Sequence, residues 1–259
     1  MNEQFSHTIS IGGLSIGYGK TAIARNINFS LESGSLCAIV GVNGIGKSTL
    51  LRTLGGFQPK LSGYIQVLGH DLESQQPEQL AKELSVVLTE PPASKNLTVQ
   101  ELIALGRQPY TNWMGKLTEP DKNQITESLN AFLLTDLRDR KCHELSDGQL
   151  QRVLIARAMA QDTPVILLDE PTTHLDLYHK VQILKMLREL AHERQKTIIF
   201  TTHEIELAIQ LCDRMLLLDG SENPFGDPCK LIEEQHFEHL FPADMVQFDP
   251  KTGSFRVNK

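Results

Sequence analysis

Hydrophobic and polar residues alternate with a period of two over residues 8–36. Such alternation is typical of strands that bury one face of a sheet. Glycine-containing segments at 12–13, 17–19 and 33–34 interrupt the alternation and predict tight turns. The segment is therefore predicted to form short antiparallel strands, whose apolar positions are Ile9, Ile11, Leu14, Ile16, Ile23, Ile27, Phe29 and Leu31.

Beyond this segment, the chain alternates between unbroken apolar runs and helical stretches. Unbroken runs are typical of strands that are buried on both faces, as in a parallel sheet. Residues 98–160 have a mainly helical pattern, in which Thr98 and Glu101 predict a capping box. An amphipathic helix is predicted at 181–190. Together these features predict an α/β fold, with core strands at 36–40, 84–89, 164–168, 197–202 and 215–218.

The segment 41–49 fits the phosphate-binding pattern G-x-x-x-x-G-K-[ST]. A predicted strand precedes it and a predicted helix follows it, which is the context that the motif requires. Glycines let backbone N–H groups curve around a phosphate, and the helix N-terminus adds partial positive charge. Lys47 is a point charge for phosphates, and the Ser48 hydroxyl is placed to ligate Mg²⁺. The predicted nucleotide-binding residues of this loop are Gly41, Val42, Asn43, Gly44, Ile45, Gly46, Lys47, Ser48 and Thr49.

Two carboxylates, Asp169 and Glu170, directly follow the apolar run at 164–168. Ligands of open parallel sheets bind at the carboxyl ends of the strands. Two charges beside a buried strand also need a partner, and Mg²⁺ supplies one. We expect Asp169 to hold Mg²⁺ through its water shell and Glu170 to polarise the attacking water. His203 follows the run at 197–202 and is expected to hydrogen-bond the γ-phosphate and sense hydrolysis.

Composition and charge narrow the possible functions. The chain has 259 residues and a formal net charge of −7, which argues against broad nucleic-acid binding. Four scattered cysteines without a CxxC motif indicate a reduced, cytosolic protein that lacks a structural metal. Residues 1–6 lack the features of a signal peptide. No apolar run approaches the roughly 18 residues that cross a bilayer, so another chain is expected to supply any membrane spans.

Several motifs together resemble those of the ATP-binding subunit of an ABC transporter. Their order and spacing match over residues 8–220, and the signature followed by Gln151-Arg152 is more specific than the phosphate loop alone. The motifs are the phosphate loop, Leu145-Ser146-Asp147-Gly148-Gln149, Leu167-Leu168-Asp169-Glu170-Pro171-Thr172, Leu175-Asp176 and His203. More narrowly, residues 98–102, 106–110 and 170–177 are similar to the branch that serves importers of ferric siderophores, haem and cobalamin.

The resemblance implies a P-loop NTPase cassette with a RecA-like core, an antiparallel β subdomain and a helical signature subdomain. The cassette would span residues 1–220, and the helical subdomain about residues 92–160. Residues 221–259 are polar and punctuated by proline and glycine, yet contain apolar residues that can pack. We therefore expect a small α/β extension there.

The resemblance also implies roles for individual residues. Tyr18 would stack on the adenine of ATP, although from the residues alone a half-buried turn tyrosine is the favoured alternative. Glu170 would be the catalytic carboxylate, His203 the switch histidine, and Asp176 would lie at the seam of a homodimer. The signature would cap the ATP of the opposite subunit, through Ser146, Asp147, Gly148 and Gln149.

Two departures from the family pattern stand out. Asp147 replaces the first glycine of the usual Leu-Ser-Gly-Gly-Gln signature, and we expect it to tolerate the unusual backbone angles of a turn. The family also has a glutamine after the strand at 84–89, where it contacts Mg²⁺ and couples the site to the membrane partner. This chain has Thr89-Glu90 instead. Strand register favours Glu90 as the metal-side substitute, and the length of the following loop favours Thr89.

The expected function is ATP hydrolysis that energises uptake of an iron chelate, haem or cobalamin through a separate polytopic permease. A substrate-binding protein would act indirectly, no nucleic acid would bind, and the chain would lie on the cytoplasmic face of the cell membrane. The alternative is a soluble ABC ATPase that acts as an assembly scaffold, for example in iron–sulfur cluster formation. A kinase or GTPase is disfavoured, because a guanine-binding Asn-Lys-x-Asp motif is absent and residues 145–149 would be unexplained.

A loop at residues 108–115 contains the one tryptophan of the chain, Trp113, next to Met114. An exposed Trp-Met pair would favour a docking surface. A buried anchor of the loop is an equally weighted alternative.

Overall fold

The computed structural model describes residues 7–90, 96–241, 244 and 246–257. The predictions for residues 1–6, and for the start of the helical subdomain at residue 92, fall outside the described residues. The strands are β1 (Ile9–Tyr18), β2 (Thr21–Leu31), β3 (Leu36–Val40), β4 (Ser62–Val67), β5 (His70–Asp71), β6 (Leu84–Val87), β7 (Val165–Leu168), β8 (Thr197–Thr201), β9 (Arg214–Leu217), β10 (Phe225–Gly226), β11 (Val246–Asp249) and β12 (Ser254–Val257). The helices are α1 (Lys47–Leu54), α2 (Pro77–Glu83), α3 (Val99–Ala104), α4 (Glu119–Ala131), α5 (Asp147–Ala160), α6 (Leu177–Arg194), α7 (Ile205–Leu211) and α8 (Pro228–Glu233).

A six-stranded sheet forms the centre of the protein, in the order β10-β9-β3-β8-β7-β6. Its five long strands are parallel, and the short β10 pairs antiparallel with β9. Every residue of β3, β7 and β8 is buried, as the unbroken apolar runs predict. The carboxyl ends of β3, β7 and β8 therefore lie side by side at one edge of the sheet.

A second, antiparallel sheet has the order β2-β1-β4-β5. The prediction of a turn at Gly12-Gly13 is wrong, because β1 continues through both residues. The pairing of β1 with β2 shifts between Ile11 and Leu14, where β1 contains one more residue than β2. Gly13 has a φ of 56°, which accommodates this bulge. The glycine pair therefore bends one long strand and does not separate two short ones.

The helical layer consists mainly of α3, α4 and α5, which pack on one another. Capping boxes form at Thr98 and at Ser146, and the former confirms the sequence prediction. A buried ion pair joins the segment after α3 to α4, with Arg107 Nε at 2.9 Å from an Asp121 carboxylate oxygen. Hydrogen bonds from the Thr118 side chain, followed by Arg107, lower the pKa of Asp121. Arg107 also donates to the Ala160 carbonyl oxygen of α5 at 2.7 Å, so this one side chain links all three helices.

The loop at 108–115 exposes its tryptophan to solvent. Trp113 is 92 % exposed, which excludes the buried-anchor alternative. Near the C-terminus, the short 3-10 turn His236–His239 that follows α8 packs on the β11–β12 hairpin through aromatic side chains, and the Phe237 and Phe248 ring centroids are 5.0 Å apart. Among the described helices, none is long and apolar enough to cross a membrane. All four cysteines are free thiols.

Candidate nucleotide-binding and catalytic site

The loop between β3 and α1 has a backbone that requires glycine at two positions. Gly41 has a φ of 152° and Gly46 a φ of 111°, both in the region that disfavours other residues. A Cβ on Gly41 would lie 2.4 Å from the Leu218 carbonyl oxygen, and one on Gly46 would lie 2.7 Å from Ile23 Cγ2. No side chain caps the N-terminus of α1. Its first N–H groups are therefore available to bind an anion such as a phosphate.

Lys47 is the positive charge of this loop, and it is almost fully buried. Its Nζ donates to the carbonyl oxygens of Gly41 (2.9 Å) and Val42 (3.2 Å), and lies 3.4 Å from His203 Nδ1. Burial lowers the pKa of Lys47, and the nearby carboxylates of Glu170 and Asp169 oppose that change. The ammonium is thus held at the loop by its own backbone, with two negative charges nearby.

Three hydroxyl groups, from α1, from β8 and from the segment after β6, converge on the buried carboxylate of Asp169. Ser48 Oγ donates to Oδ1 at 3.0 Å, Thr201 Oγ1 donates to Oδ1 at 2.7 Å, and Thr89 Oγ1 donates to Oδ2 at 3.1 Å. The structure thus brings together Ser48 and Asp169, two of the three residues predicted to hold Mg²⁺. It also adds Thr201, which the sequence did not single out, and Thr89, one of the two candidates for the metal side.

The oxygen donors at this point suit Mg²⁺, which prefers oxygen ligands and retains several waters. In the part of the chain that the structure describes, no group of three or more His, Cys, Asp or Glu side chains could hold a metal ion. A site with one carboxylate and one hydroxyl is nevertheless the type used with substrate phosphates, which supply the remaining ligands. The residues present therefore fit a magnesium ion that binds together with a nucleotide.

Glu170 follows Asp169 and is held on both of its carboxylate oxygens. The Nε2 atom of His203 contacts Oε1, and the Thr173 hydroxyl donates to Oε2 at 2.9 Å. Glu170 has a φ of 48°, a conformation that few residues other than glycine adopt. This geometry unites Glu170 and His203, the two predicted catalytic residues, beside Lys47. The arrangement can accept a proton at Glu170 and report on charge near Lys47 through His203.

The structure places Thr89 and Glu90, the two candidates for the metal side, in different surroundings. Thr89 contacts the Asp169 carboxylate, as described above. The Glu90 carboxylate instead pairs with Arg52 at 2.6 Å, and its side chain is largely exposed. In the structure it is therefore Thr89, and not the Glu90 that strand register favours, that reaches the carboxylate predicted to hold Mg²⁺. The chain leaves β6 after Val87, so the residue that reaches Asp169 is no longer set by strand pairing.

Tyr18 lies at the end of β1, close to the loop. Its side chain is 60 % exposed, so the alternative of a half-buried turn tyrosine does not hold. Its hydroxyl lies 3.4 Å from Thr49 Oγ1, the last residue of the predicted phosphate-binding segment. An exposed aromatic ring anchored beside the loop is available for stacking on a base.

The signature residues form a second group at the start of α5. Ser146 Oγ accepts from Gln149 N at 3.3 Å, and Gln149 Oε1 accepts from Ser146 N at 3.0 Å. Asp147 is the first helical residue of α5, so the expectation of unusual backbone angles there is corrected. A carboxylate in the first turn of a helix is favourable because the N-terminus carries partial positive charge. The departure from glycine is compatible with the local fold.

Asp176 caps the N-terminus of α6, close to the signature. Its carboxylate accepts from His179 N at 2.9 Å and contacts His179 Nδ1 at 2.9 Å. These hydrogen bonds lower the pKa of Asp176. A Cβ on Gly148 would lie 3.4 Å from Leu175 Cδ2, so the segment before α6 packs on the signature. Asp176 and the signature thus share one surface of the chain.

Of the three threonines that hold the two carboxylates, Thr201 and Thr173 were not predicted from the sequence. Thr201 ends the apolar run of β8 and directly precedes Thr202-His203, so its place beside a predicted strand end was a usable signal. Thr173 lies three residues after Glu170, close enough in sequence for a local hydrogen bond. Thr89 was considered only as a substitute for the family's glutamine.

Comparisons with known proteins show which proteins this chain resembles. The model of the ABC transporter family matches residues 24–173. The achromobactin transport ATP-binding protein CbrD of Dickeya dadantii is 37 % identical over 232 residues, covering 89 % of this chain and 86 % of its own. The ferric enterobactin transport ATP-binding protein FepC of Escherichia coli K12 is 32 % identical, and the match covers 93 % of this chain and 90 % of FepC.

Solved structures give the same picture. The structure of cbiO1 of Clostridium perfringens, part of the cbiONQ ABC transporter complex, has a TM-score of 0.78 with 27 % identity, covering 90 % of this chain and 93 % of its own. A dimeric post-hydrolysis state of the ATP-binding cassette MJ0796 with ADP and Pi has a TM-score of 0.72 with 26 % identity, covering 85 % and 98 %.

Proposed function

Because this chain belongs to the ABC transporter family and is one of its ATP-hydrolysing subunits, we propose that it energises the import of an iron chelate through a separate membrane permease. Haem and cobalamin are the further cargoes that the sequence motifs favour. The observation that carries the proposal is a set of relatives whose sequences align with this chain over most of its length. Their names describe them as ATP-binding proteins for the transport or import of achromobactin, petrobactin, iron(3+)-hydroxamate, ferric enterobactin and cobalamin.

The residues of the site have separate tasks in this proposal. The glycine loop and the N-terminus of α1 bind the phosphates through backbone N–H groups, and Lys47 adds a positive charge. Ser48 and Asp169 hold Mg²⁺, which when bound neutralises charge that develops on the phosphates. Glu170 accepts the proton of the attacking water, and His203 lies between Glu170 and Lys47. Tyr18 stacks on the adenine.

We propose further that two copies of the chain form the active unit. The signature and Asp176 share one surface, whereas the phosphate loop and the carboxylates form another group. Two exposed apolar residues, Leu177 and Tyr178, directly follow Asp176, as expected for a surface that a second copy covers. In such an arrangement, each signature caps the ATP bound by the other chain. The dimeric state of a related cassette supports this proposal.

A groove of about 670 Å³ gives a surface on which a permease segment would dock. Apolar side chains line most of it, among them Phe57, Leu72, Leu80, Leu84 and Val86. The groove shares α1 and β6 with the site, because Ser48 lies in the first turn of α1 and Thr89 follows β6. A helix or loop seated there would therefore contact the same two elements that contact Asp169. This connection gives hydrolysis a route to the membrane partner.

Uptake measurements test the proposed cargo. In cells that lack the native chain, we expect the wild-type chain to restore uptake of radiolabelled ferric siderophores and the Glu170→Gln variant to fail. Glu189→Gln, the same chemical change at an exposed position of α6, is the control and should restore uptake. Radiolabelled haem and cobalamin form separate arms. Restored uptake of cobalamin alone would replace the iron-chelate assignment, and restored uptake of none would contradict the importer proposal.

A further inference from the structure

Thr201 has a position that the motifs do not explain. It is the last residue of β8, and it is fully buried. Its hydroxyl donates to Asp169 Oδ1 at 2.7 Å and accepts from the Glu170 backbone N–H at 2.9 Å. One oxygen atom therefore links the carboxylate of the first acidic residue to the backbone of the second.

The pairing of β7 with β8 explains how this oxygen comes to lie there. Leu168 pairs with Phe200 in the parallel register, so Asp169, the first residue after β7, lies beside Thr201, the last residue of β8. The chain turns sharply at Glu170, where φ is 48°. At that turn the Glu170 N–H donates to a side-chain oxygen, and leaving a partly buried N–H without an acceptor is costly. The Thr201 hydroxyl satisfies this N–H and orients the Asp169 carboxylate at the same time.

We propose that Thr201 is a positioning residue for ATP hydrolysis, which sets the Asp169 carboxylate for Mg²⁺ and the turn that aims Glu170 at the attacking water. This inference rests on the proposed roles of Asp169 and Glu170. Thr89 provides a contrast, because its hydroxyl contacts Asp169 Oδ2. Loss of the Thr89 hydroxyl should therefore change the magnesium side, whereas loss of the Thr201 hydroxyl should change both the magnesium side and the catalytic step.

The variants are Thr201→Val, which replaces the hydroxyl with a methyl group of similar size, and Thr201→Ser, which retains it. Valine suits a buried strand, so the backbone should keep its path. For Thr201→Val we expect kcat to fall at least about tenfold, the effect of losing one hydrogen bond to a charged group. The KM for ATP should change little, since the phosphate loop is untouched. Thr201→Ser should recover most of the kcat.

A second readout separates positioning from mere stability. Binding of a fluorescent ATP analogue to the purified chain is measured in EDTA and in a magnesium titration, at a temperature below the unfolding transition of each variant. We expect Thr201→Val to bind the analogue in EDTA like the wild type, but to need several-fold more Mg²⁺ for the same gain in affinity. Thr89→Val should share this magnesium shift and lose less kcat than Thr201→Val. If Thr201→Val does not fold, Thr201→Ala is measured in the same way.

The possible outcomes separate this inference from the proposed function. Asp169→Asn and Glu170→Gln are assayed in parallel. If both are inactive while folded Thr201→Val has wild-type kcat and magnesium dependence, the Thr201 inference is overturned and the proposed roles stand. If Asp169→Asn and Glu170→Gln hydrolyse ATP at the wild-type rate, the proposed roles of Asp169 and Glu170 are wrong. The inference about Thr201, which rests on those roles, is then overturned as well. A Thr201→Ser variant as impaired as Thr201→Val would also contradict a role for the hydroxyl.

Discussion

At the scale of single residues, the charged atoms of the site are held by groups of this same chain. Lys47 is bound by two carbonyl oxygens of its loop, Asp169 by three hydroxyls, and Glu170 by His203 and Thr173. Such preorganisation reduces the rearrangement that a reaction requires. It also separates the tasks, since Lys47 faces the phosphate loop while Glu170 faces His203.

This separation predicts different defects for Glu170→Gln and Lys47→Ala. Glutamine keeps the size of the side chain but accepts no proton, so we expect hydrolysis to fall at least about 100-fold with ATP binding preserved. Alanine removes a charged donor to the phosphates, so Lys47→Ala should weaken ATP binding itself by about tenfold or more. Equilibrium binding of a fluorescent ATP analogue and steady-state phosphate release distinguish the two. Normal turnover by Glu170→Gln would contradict its role as the general base.

Part of the site could be predicted from its residues, and part could not. The phosphate loop, Asp169, Glu170 and His203 follow from local motifs at strand ends, and the structure brings them together. Whether Thr89 or Glu90 reaches Asp169 depends on the path of the chain after β6. In that segment, neither the hydrophobic periodicity nor strand pairing determines which side chain faces Asp169. The role of Thr201 depends on which strand lies beside β7, and local sequence patterns do not predict the order of strands in a sheet.

At the scale of elements, close packing between the segment after α3 and the end of α5 sets the shape of the helical layer. Gly106 lies against the Arg157 carbonyl, and a Cβ on Gly106 would be 2.3 Å from that oxygen. The neighbouring Arg107 donates to the Ala160 carbonyl oxygen at 2.7 Å and pairs with Asp121. This contact therefore joins α3, α4 and the carboxyl end of α5, the helix that begins with the signature.

We predict that Gly106→Ala destabilises the protein by about 1–3 kcal/mol, the usual cost of forcing an extra methyl group into a packed interior. Gly226→Ala is the matched control, since its Cβ would meet Leu231 at an ordinary 3.7 Å. Chemical denaturation, followed by circular dichroism, measures both. If the two variants are equally stable, the Gly106 and Arg157 backbones can move apart without a cost in free energy. That result would contradict the role of this close contact in the helical layer.

Elements differed in how well the sequence predicted them. Parallel core strands and the capping box at Thr98 were predicted correctly, because burial on both faces and helix capping have short-range signatures. The glycine pair at 12–13 was misread as a turn, since a bulge and a turn both use glycine. Pairing with a distant strand decides between them, and β1 pairs with β4 as well as with β2.

At the scale of the whole molecule, the groove and the catalytic site lie on shared elements. Phe57 at the rim of the groove is 63 % exposed, as is Leu133 in the helical layer, outside the groove. Phe57→Glu and Leu133→Glu are therefore a matched pair, which places the same charge at equally exposed apolar positions. If the groove receives the permease, only Phe57→Glu should reduce recovery of the membrane partner.

The measurement that tests the central claim most directly is affinity purification of the tagged chain from gently solubilised native membranes, with mass spectrometry as the readout and the soluble fraction as control. We predict a stoichiometric polytopic membrane protein with the wild type and with Leu133→Glu, and markedly less of it with Phe57→Glu. Recovery of soluble proteins alone would contradict the importer assignment and favour an assembly scaffold, while leaving the ATP site intact. Equal recovery with both glutamate variants would move the docking surface away from the groove.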